Sequence, residues 1–304
     1  MYTTPRCISE ESEGGGLIVG RLGVILAVEC GFSGYKPFLG GCQYDHSKTL
    51  REIAAAIDLV AGVAGGKAAF LVHTSPYARR ELDDVFYTGD EYVHLWRRAI
   101  QAGGEIGLHL HEDETDGSCY YYYYGRHMGK AIEEHATLLS NLGIRPTCQI
   151  IGYYGMNEWI TPIVERLGIL VSLNNVGEYV PWSHSDWTKA PRKAYFHNYD
   201  DAYASGASKV LEVPLGTTEL MRYEDGLVID SNSFRHLKRV WRDIRLARVD
   251  EDALYFVLLR TWRLSNCYSV AERFIRFIQR DGALLLTPSE AWEWWNGLCK
   301  QRKE

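Results

Sequence analysis

His109 and His111 stand one residue apart, and the acidic run Glu112-Asp113-Glu114 follows directly. Imidazoles and carboxylates gathered in one place are a ligand set for a divalent metal ion. Whether these can meet depends on the backbone that carries them. Ile106, Leu108 and Leu110 alternate with Gly107, His109 and His111, the period of a strand with one face buried. On such a strand both imidazoles project to the same side, with Asp113 just beyond. His109, His111 and Asp113 are therefore the candidate metal ligands. The plain alternative is a pair of hydrogen-bonded histidines at a polar strand end, because a short ligand spacing has a real false-positive rate.

Other polar residues fall where apolar runs stop. Val24 to Val28 is continuously apolar, as a strand covered on both faces would be, and it runs into Glu29 and Cys30. Ala68 to Val72 is a second such run and delivers His73. Leu170 to Leu173 ends at Asn174-Asn175, and Ala253 to Leu259 ends at Arg260. Further short strands are expected at Cys148–Ile151, 209–214 and 283–286. Between them lie helical patterns: one capped by Ser47, with Leu50, Ile53, Ala54, Ile57, Val60 and Ala61 on one face, then 90–102, 128–142, 160–167, 233–247, 269–280 and 290–298. Strands alternating with helices imply a parallel sheet, and seven or eight such units imply a β/α barrel. A barrel collects its chemistry at the carboxyl ends of its strands, which is where Glu29, His73, His109, His111, Asn174 and Arg260 all fall. Each also has a plain reading: Glu29 in an ion pair, Cys30 as a small buried apolar residue, His73 as a hydrogen-bonded pocket wall.

Composition narrows the class. The chain has 304 residues, 46% of them hydrophobic and 24% charged, so a large core is expected and disorder is not. A net charge of −6 gives no basic footprint for nucleic acid. Seven cysteines without a CxxC pair suit reduced intracellular thiols better than a disulfide framework. The acidic N-terminal stretch lacks the basic start of a secretory leader, and the apolar run 17–28 contains Arg21 and is too short to span a bilayer. The expectation is a cytoplasmic protein with a loose tail over 1–16 and a single domain over 17–304, with no membrane partner and with a homo-oligomer left open. Residues 181–208 are aromatic and aperiodic, an elaborate loop that could serve as a lid. Tyr120 to Tyr124 could stack on a ligand or divide between core and surface, and Trp292, Trp294 and Trp295 are expected to pack a helix.

One order of segments resembles a known family. The acid-ended first strand, then Lys67-Ala68-Ala69-Phe70, then Ala102-Gly103-Gly104-Glu105-Ile106-Gly107-Leu108-His109 is similar to the polysaccharide deacetylase superfamily, the NodB-homology group or carbohydrate esterase family 4. Gly143-Ile144-Arg145-Pro146, Tyr153-Tyr154-Gly155-Met156-Asn157 and Leu167-Gly168-Ile169 continue it, so that residues 22–176 match well and the rest loosely. The resemblance implies a distorted (β/α)7 barrel and metal-assisted hydrolysis of an amide, most typically N-deacetylation of an amino sugar. It places Glu29 and Cys30 where the family has two aspartates, one a base and one a ligand. A thiolate at that place would favour zinc. The family's two histidines lie four residues apart, a spacing met here by His109 and Asp113, with His111 an alternative for the second. The family's late histidine falls at Arg260, which cannot give up a proton but could steady an oxyanion or hold a phosphate. His73, Tyr153, Tyr154 and Asn174 would then line the substrate. The competing reading is a barrel that has lost its proton-transfer groups and binds a sugar or nucleotide-sugar without hydrolysing it.

Overall fold

The computed structural model describes residues 20–32, 45–74, 87–111, 113–115, 120–122, 126–181, 183–218, 222–248 and 251–301. In chain order its elements are β1 (Leu22–Cys30), α1 (His46–Ala64), β2 (Ala69–Thr74), α2 (Asp90–Gln101), β3 (Glu105–Leu110), β4 (Asp113–Thr115), β5 (Tyr120–Tyr122), α3 (Arg126–Asn141), β6 (Cys148–Ile151), α4 (Ile160–Leu167), β7 (Val171–Ser172), β8 (Tyr179–Val180), β9 (Ser185–Asp186), β10 (Tyr195–Phe196), β11 (Leu211–Glu212), α5 (Phe234–Ala247), β12 (Ala253–Arg260), α6 (Leu264–Arg280), β13 (Leu284–Leu285) and α7 (Pro288–Gln301).

The main sheet runs β10-β11-β7-β6-β3-β2-β1-β12, with β13 also on β1. Neighbours from β11 through β12 pair in parallel, and β10 alone is antiparallel. Beyond β11, Leu215 pairs with Phe256 of β12 and Val228 with Leu258, so the sheet curls until its two ends meet. This is the distorted β/α barrel expected from the alternation of strands and helices. All nine residues of β1 are buried, which is why its sequence is apolar without alternation.

Several boundaries differ from expectation for local reasons. Asp45, not Ser47, caps α1, its carboxylate accepting from Lys48 N at 2.8 Å, and Ala61 is exposed. Helix α6 starts at Leu264 because a 3-10 turn over Thr261–Arg263 feeds it directly, and Leu264 and Cys267 pack inward. The strand expected over 209–214 shortens to β11, and that over 170–173 to β7. The stretch 181–208 is tied down: Trp187 is fully buried and donates Nε1 to the Tyr154 carbonyl at 2.9 Å. Trp295 is buried in α7, and Trp292 donates to the Lys209 carbonyl, so the tryptophans pack as expected. No helix among the described residues is long and apolar enough to cross a membrane. The stretch 1–16 and Glu112 lie outside the described residues, as do Tyr123 and Tyr124, and of Asp113 and Tyr120–Tyr122 only the backbone is described.

Candidate functional site

Strand register decides which side chains share a face. Glu29 pairs with Leu71 across β1 and β2, and His73 with His109 across β2 and β3. Paired residues in adjacent strands point the same way, and so do residues two apart. Glu29, His73 and His109 therefore lie on one face, and His111 continues it past the end of β3. Cys30, Val72, Leu108 and Leu110 have the opposite parity.

The three histidines converge. One ring nitrogen from each of His73, His109 and His111 can be chosen so that all three lie within 4.8 Å of one another. The Nε2 atoms of His109 and His111 are 3.0 Å apart, and the His73 ring stacks on His111 at 4.8 Å and meets His109 edge-on at 5.0 Å. Phe32 closes the outer side of His73, edge-on at 4.8 Å. Burial holds the pKa of His73 and His109 well below the usual histidine value, and the neighbouring imidazoles push both further down. These rings are neutral at physiological pH, the protonation state a metal needs. His109 Nδ1 is buried and has no hydrogen-bond partner. Three imidazoles whose ring nitrogens converge, those of His73 and His109 held uncharged by burial, fit a metal with three histidine ligands.

His111 is held from below by a backbone that lacks a side chain. A Cβ on Gly152 would lie 2.4 Å from His111 Nδ1, so glycine is what lets the ring settle there. Tyr153 and Tyr154 follow with φ of 50° and 57°, a left-handed conformation that costs non-glycine residues about 1–2 kcal/mol each. The turn sets Tyr153 edge-on to His111 at 5.4 Å and sends Tyr154 into the core. Strain next to a candidate site is a recognised companion of function.

Glu29 is the nearest described acid. Its Oε1 lies 3.9 Å from His109 Nε2, and the side chain is 8% exposed. Burial raises its pKa to about 7, against a lowering by Arg260 and a further raising by Asp230. Arg260 is committed elsewhere than to a free oxyanion: Nε donates to Asp230 Oδ2 at 2.9 Å and Nη2 to Ser231 Oγ at 2.7 Å. Asp230 is fully buried and also pairs with Arg263 at 3.6 Å. Sequence reasoning passed over Asp230, which sits in the polar stretch Asp230-Ser231-Asn232-Ser233 with nothing local to mark it.

Cys30 is not with the histidines. Its parity turns it toward the helical layer, its thiol donates to the Val28 carbonyl at 3.6 Å, and burial keeps it protonated. It behaves as the small apolar residue of the plainer reading. Asn174 likewise faces away, because Ser172 pairs with Gln149 on the face opposite Ile150 and His109. Its Oδ1 accepts from Ile151 N at 2.7 Å and its Nδ2 donates to Ser172 Oγ at 2.9 Å. The amide is engaged in holding the end of β6, the strand that presents Gly152, and no contact brings it to the substrate side. It belongs to a buried cluster that sequence reasoning missed, centred on Glu212. That carboxylate accepts from Ser172 Oγ, His197 Nε2 and the backbone N–H groups of Asn174 and Asn175, at 2.5 to 3.0 Å.

The sequence matches no family model and no curated protein. Solved structures do match in fold. One is of a protein described as a polysaccharide deacetylase from Mycobacterium smegmatis, 12% identical, with a TM-score of 0.57 over 94% of this chain and 93% of that one. Another is of a polysaccharide deacetylase by description from Pseudomonas aeruginosa PAO1, 14% identical, at 0.54 over 91% of both chains. The Puue allantoinase matches at 13% identity and 0.58, again over 91% of both.

The chain has the deacetylase-type barrel fold. Of the positions that the resemblance marks, His109 and its alternative partner His111 meet at the end of β3, and the side chain of Asp113 lies outside the described residues. The deacetylase-type barrel here departs from the pattern in its ligand candidates, with His73 of β2 brought to His109 by register. Only adjacency of β2 and β3 reveals that, since 35 residues of sequence lie between the two.

Proposed function

We infer that this protein is a metal-dependent hydrolase of a carbon–nitrogen bond, and that it removes an N-acetyl group from an amino sugar or a related small amide. The observation that carries this reading is the cluster of His73, His109 and His111 with the Glu29 carboxyl beside it, set in a deacetylase-type barrel. His73, His109 and His111 would hold the ion, and Asp113, on the strand that follows, is a further candidate ligand. Three imidazoles favour zinc. Bound there, the ion would polarise the acyl carbonyl and lower the pKa of an attacking water.

The rest falls to the chain's own groups. Glu29 Oε1 is the base that takes a proton from the attacking water. A carboxyl with a pKa of about 7 both accepts and returns a proton readily near neutral pH, so the same oxygen can hand it to the leaving amine. That replaces the donor lost where the resemblance expects a histidine and Arg260 stands. Arg260 acts by charge, favouring ionised Glu29 while Asp230 holds its guanidinium in place. Tyr153, edge-on to His111, presents a ring to the acyl or sugar face.

Arg260 also supports a second reading, a barrel that binds a sugar or nucleotide-sugar without hydrolysis, because it stands where the resemblance expects the histidine that protonates the leaving amine and cannot give up a proton itself. Elemental analysis of the purified protein, joined to acetate release from N-acetylated sugars, separates the two. Metal at one equivalent with acetate release supports the hydrolase. Metal-free protein that binds sugars and releases no acetate overturns it.

A further inference from the structure

Away from the histidine centre, a cavity of about 460 Å³ lies under α5 at the seam where the barrel closes, and none of the three histidines lines it. Its walls come from the segment after β7 (Asn175, Val176, Gly177), the segment after β11 (Leu215, Thr217, Thr218), α5 with Arg248 just beyond its end, Tyr255 of β12, and Arg192. That volume is in the range of small-molecule sites. The apolar share is Val176, Leu215, Ile244 and Ala247. The polar share is dominated by donors.

Arg192 is the decisive residue. Its guanidinium lines the cavity, and Nη1, the atom packed inward on Gly177, is buried with no hydrogen-bond partner among the described residues, so the charge is fixed in place without being neutralised there. The guanidinium lies directly on the backbone of Gly177, where a Cβ would come within 1.5 Å of Nη1. Gly177 is further required by its φ of 71°. Asn175 builds this arrangement: its Oδ1 accepts from Gly177 N at 3.0 Å, its Nδ2 donates to the Pro191 carbonyl at 2.8 Å, and its own N–H donates to Glu212. Two loops are thus locked together so that Arg192 is held without a counter-ion among the described residues. Arg248 stands at the same cavity with Nε on the Tyr255 hydroxyl at 3.0 Å and Nη1 on Glu251 at 2.7 Å, two of its five N–H donors. Among the described residues, Asp243 is the one acid in the lining. The adjoining groove on α5 carries Arg235, Lys238, Arg239 and Arg242, a local positive field that would draw an anion toward the opening.

We propose that this cavity binds the phosphate group of a small organic phosphate, with Arg192 as its anchor. Two guanidinium groups and the hydroxyls of Thr217 and Thr218 offer more donors than a carboxylate can use, and they suit the three terminal oxygens of a phosphomonoester. The apolar wall takes the body of the ligand. The residues 181–208 that the sequence marks as an elaborate loop contribute Arg192, which gives that loop a binding role independent of the histidine centre.

Calorimetric titration of metal-free protein with glucose 1-phosphate and with inorganic phosphate tests this. Wild type and His109→Ala are expected to bind glucose 1-phosphate equally, and more tightly than inorganic phosphate, while Arg192→Met weakens binding at least roughly tenfold. Undiminished binding by Arg192→Met, loss of binding in His109→Ala, or no binding of either probe to wild type would each overturn the proposal. Should Arg192→Met fail to fold, arginine-specific labelling of wild type with phenylglyoxal decides. Protection of Arg192 by glucose 1-phosphate supports the site, and equal labelling with and without it refutes it.

Discussion

Glu29 is asked to do two opposed things, to be buried and to ionise. In the folded chain its carboxyl stays neutral up to about pH 7, whereas in the unfolded chain it ionises near its ordinary value of 4.5. The stability it contributes is complete below that lower value and is lost as pH rises through about 7. The difference amounts to about 3 kcal/mol. Metal-free Glu29→Gln should accordingly match wild type in urea unfolding near pH 4.5, the unfolded value, and exceed it by up to about 3 kcal/mol at mildly alkaline pH. In the metal-loaded enzyme the same change should lower kcat by about 10²–10⁴-fold with little effect on KM. A variant as active as wild type would remove Glu29 from the mechanism. Gly152 is the other residue where one atom matters, since a methyl group there would displace the His111 ring. Gly152→Ala is expected to fold, because the turn opens toward the site, and to weaken metal binding by at least about tenfold, read by competition with a chromophoric chelator.

Among the elements, β7 and β11 are short but carry the polar cluster on which the histidine centre and the Arg192 cavity both lean. Glu212 gathers Ser172, His197, Asn174 and Asn175; Asn174 then fixes the end of β6 under His111, and Asn175 fixes Gly177 under Arg192. All five side chains are fully buried. An amide in place of the carboxylate sets an N–H₂ against groups that are already donors, leaving buried hydrogen bonds unmade. Glu212→Gln should therefore destabilise by about 3 kcal/mol, seen as a lower urea midpoint. Its activity loss should exceed that of an equally destabilising core truncation in α1, such as Ile57→Ala, a buried residue outside the cluster. Equal losses would mean that the cluster serves stability alone.

At the scale of the whole molecule, the histidine centre joins β2, β3 and the turn after β6, three pieces that the barrel alone holds together. A metal held by that arrangement would be coupled to folding. Zinc at 100 times its dissociation constant should add about 2.7 kcal/mol to stability, and a chelator should remove it. His109→Ala is expected to keep the barrel, since the residue sits at a strand end, while its melting temperature becomes indifferent to zinc. A His109→Ala protein that still gains stability from zinc would place the metal elsewhere.

What the chain's order of residues decided by itself was whatever depends on local period: the strand of Ile106, Leu108 and Leu110 with His109 and His111 on one side, the apolar runs that become β1 and β12, and the alternation that demands a parallel barrel. Residues at strand ends were legible as candidates because a strand announces where it stops. Which of them meet was decided by tertiary structure. His73 joins His109 through the register of two strands, Cys30 and Asn174 turn away through parity, and Arg260 is claimed by Asp230 from a separate segment. Glu212, Arg192 and Gly177 left no local trace, because hydrogen bonds and close backbone approach between distant segments carry no periodic signal in the sequence.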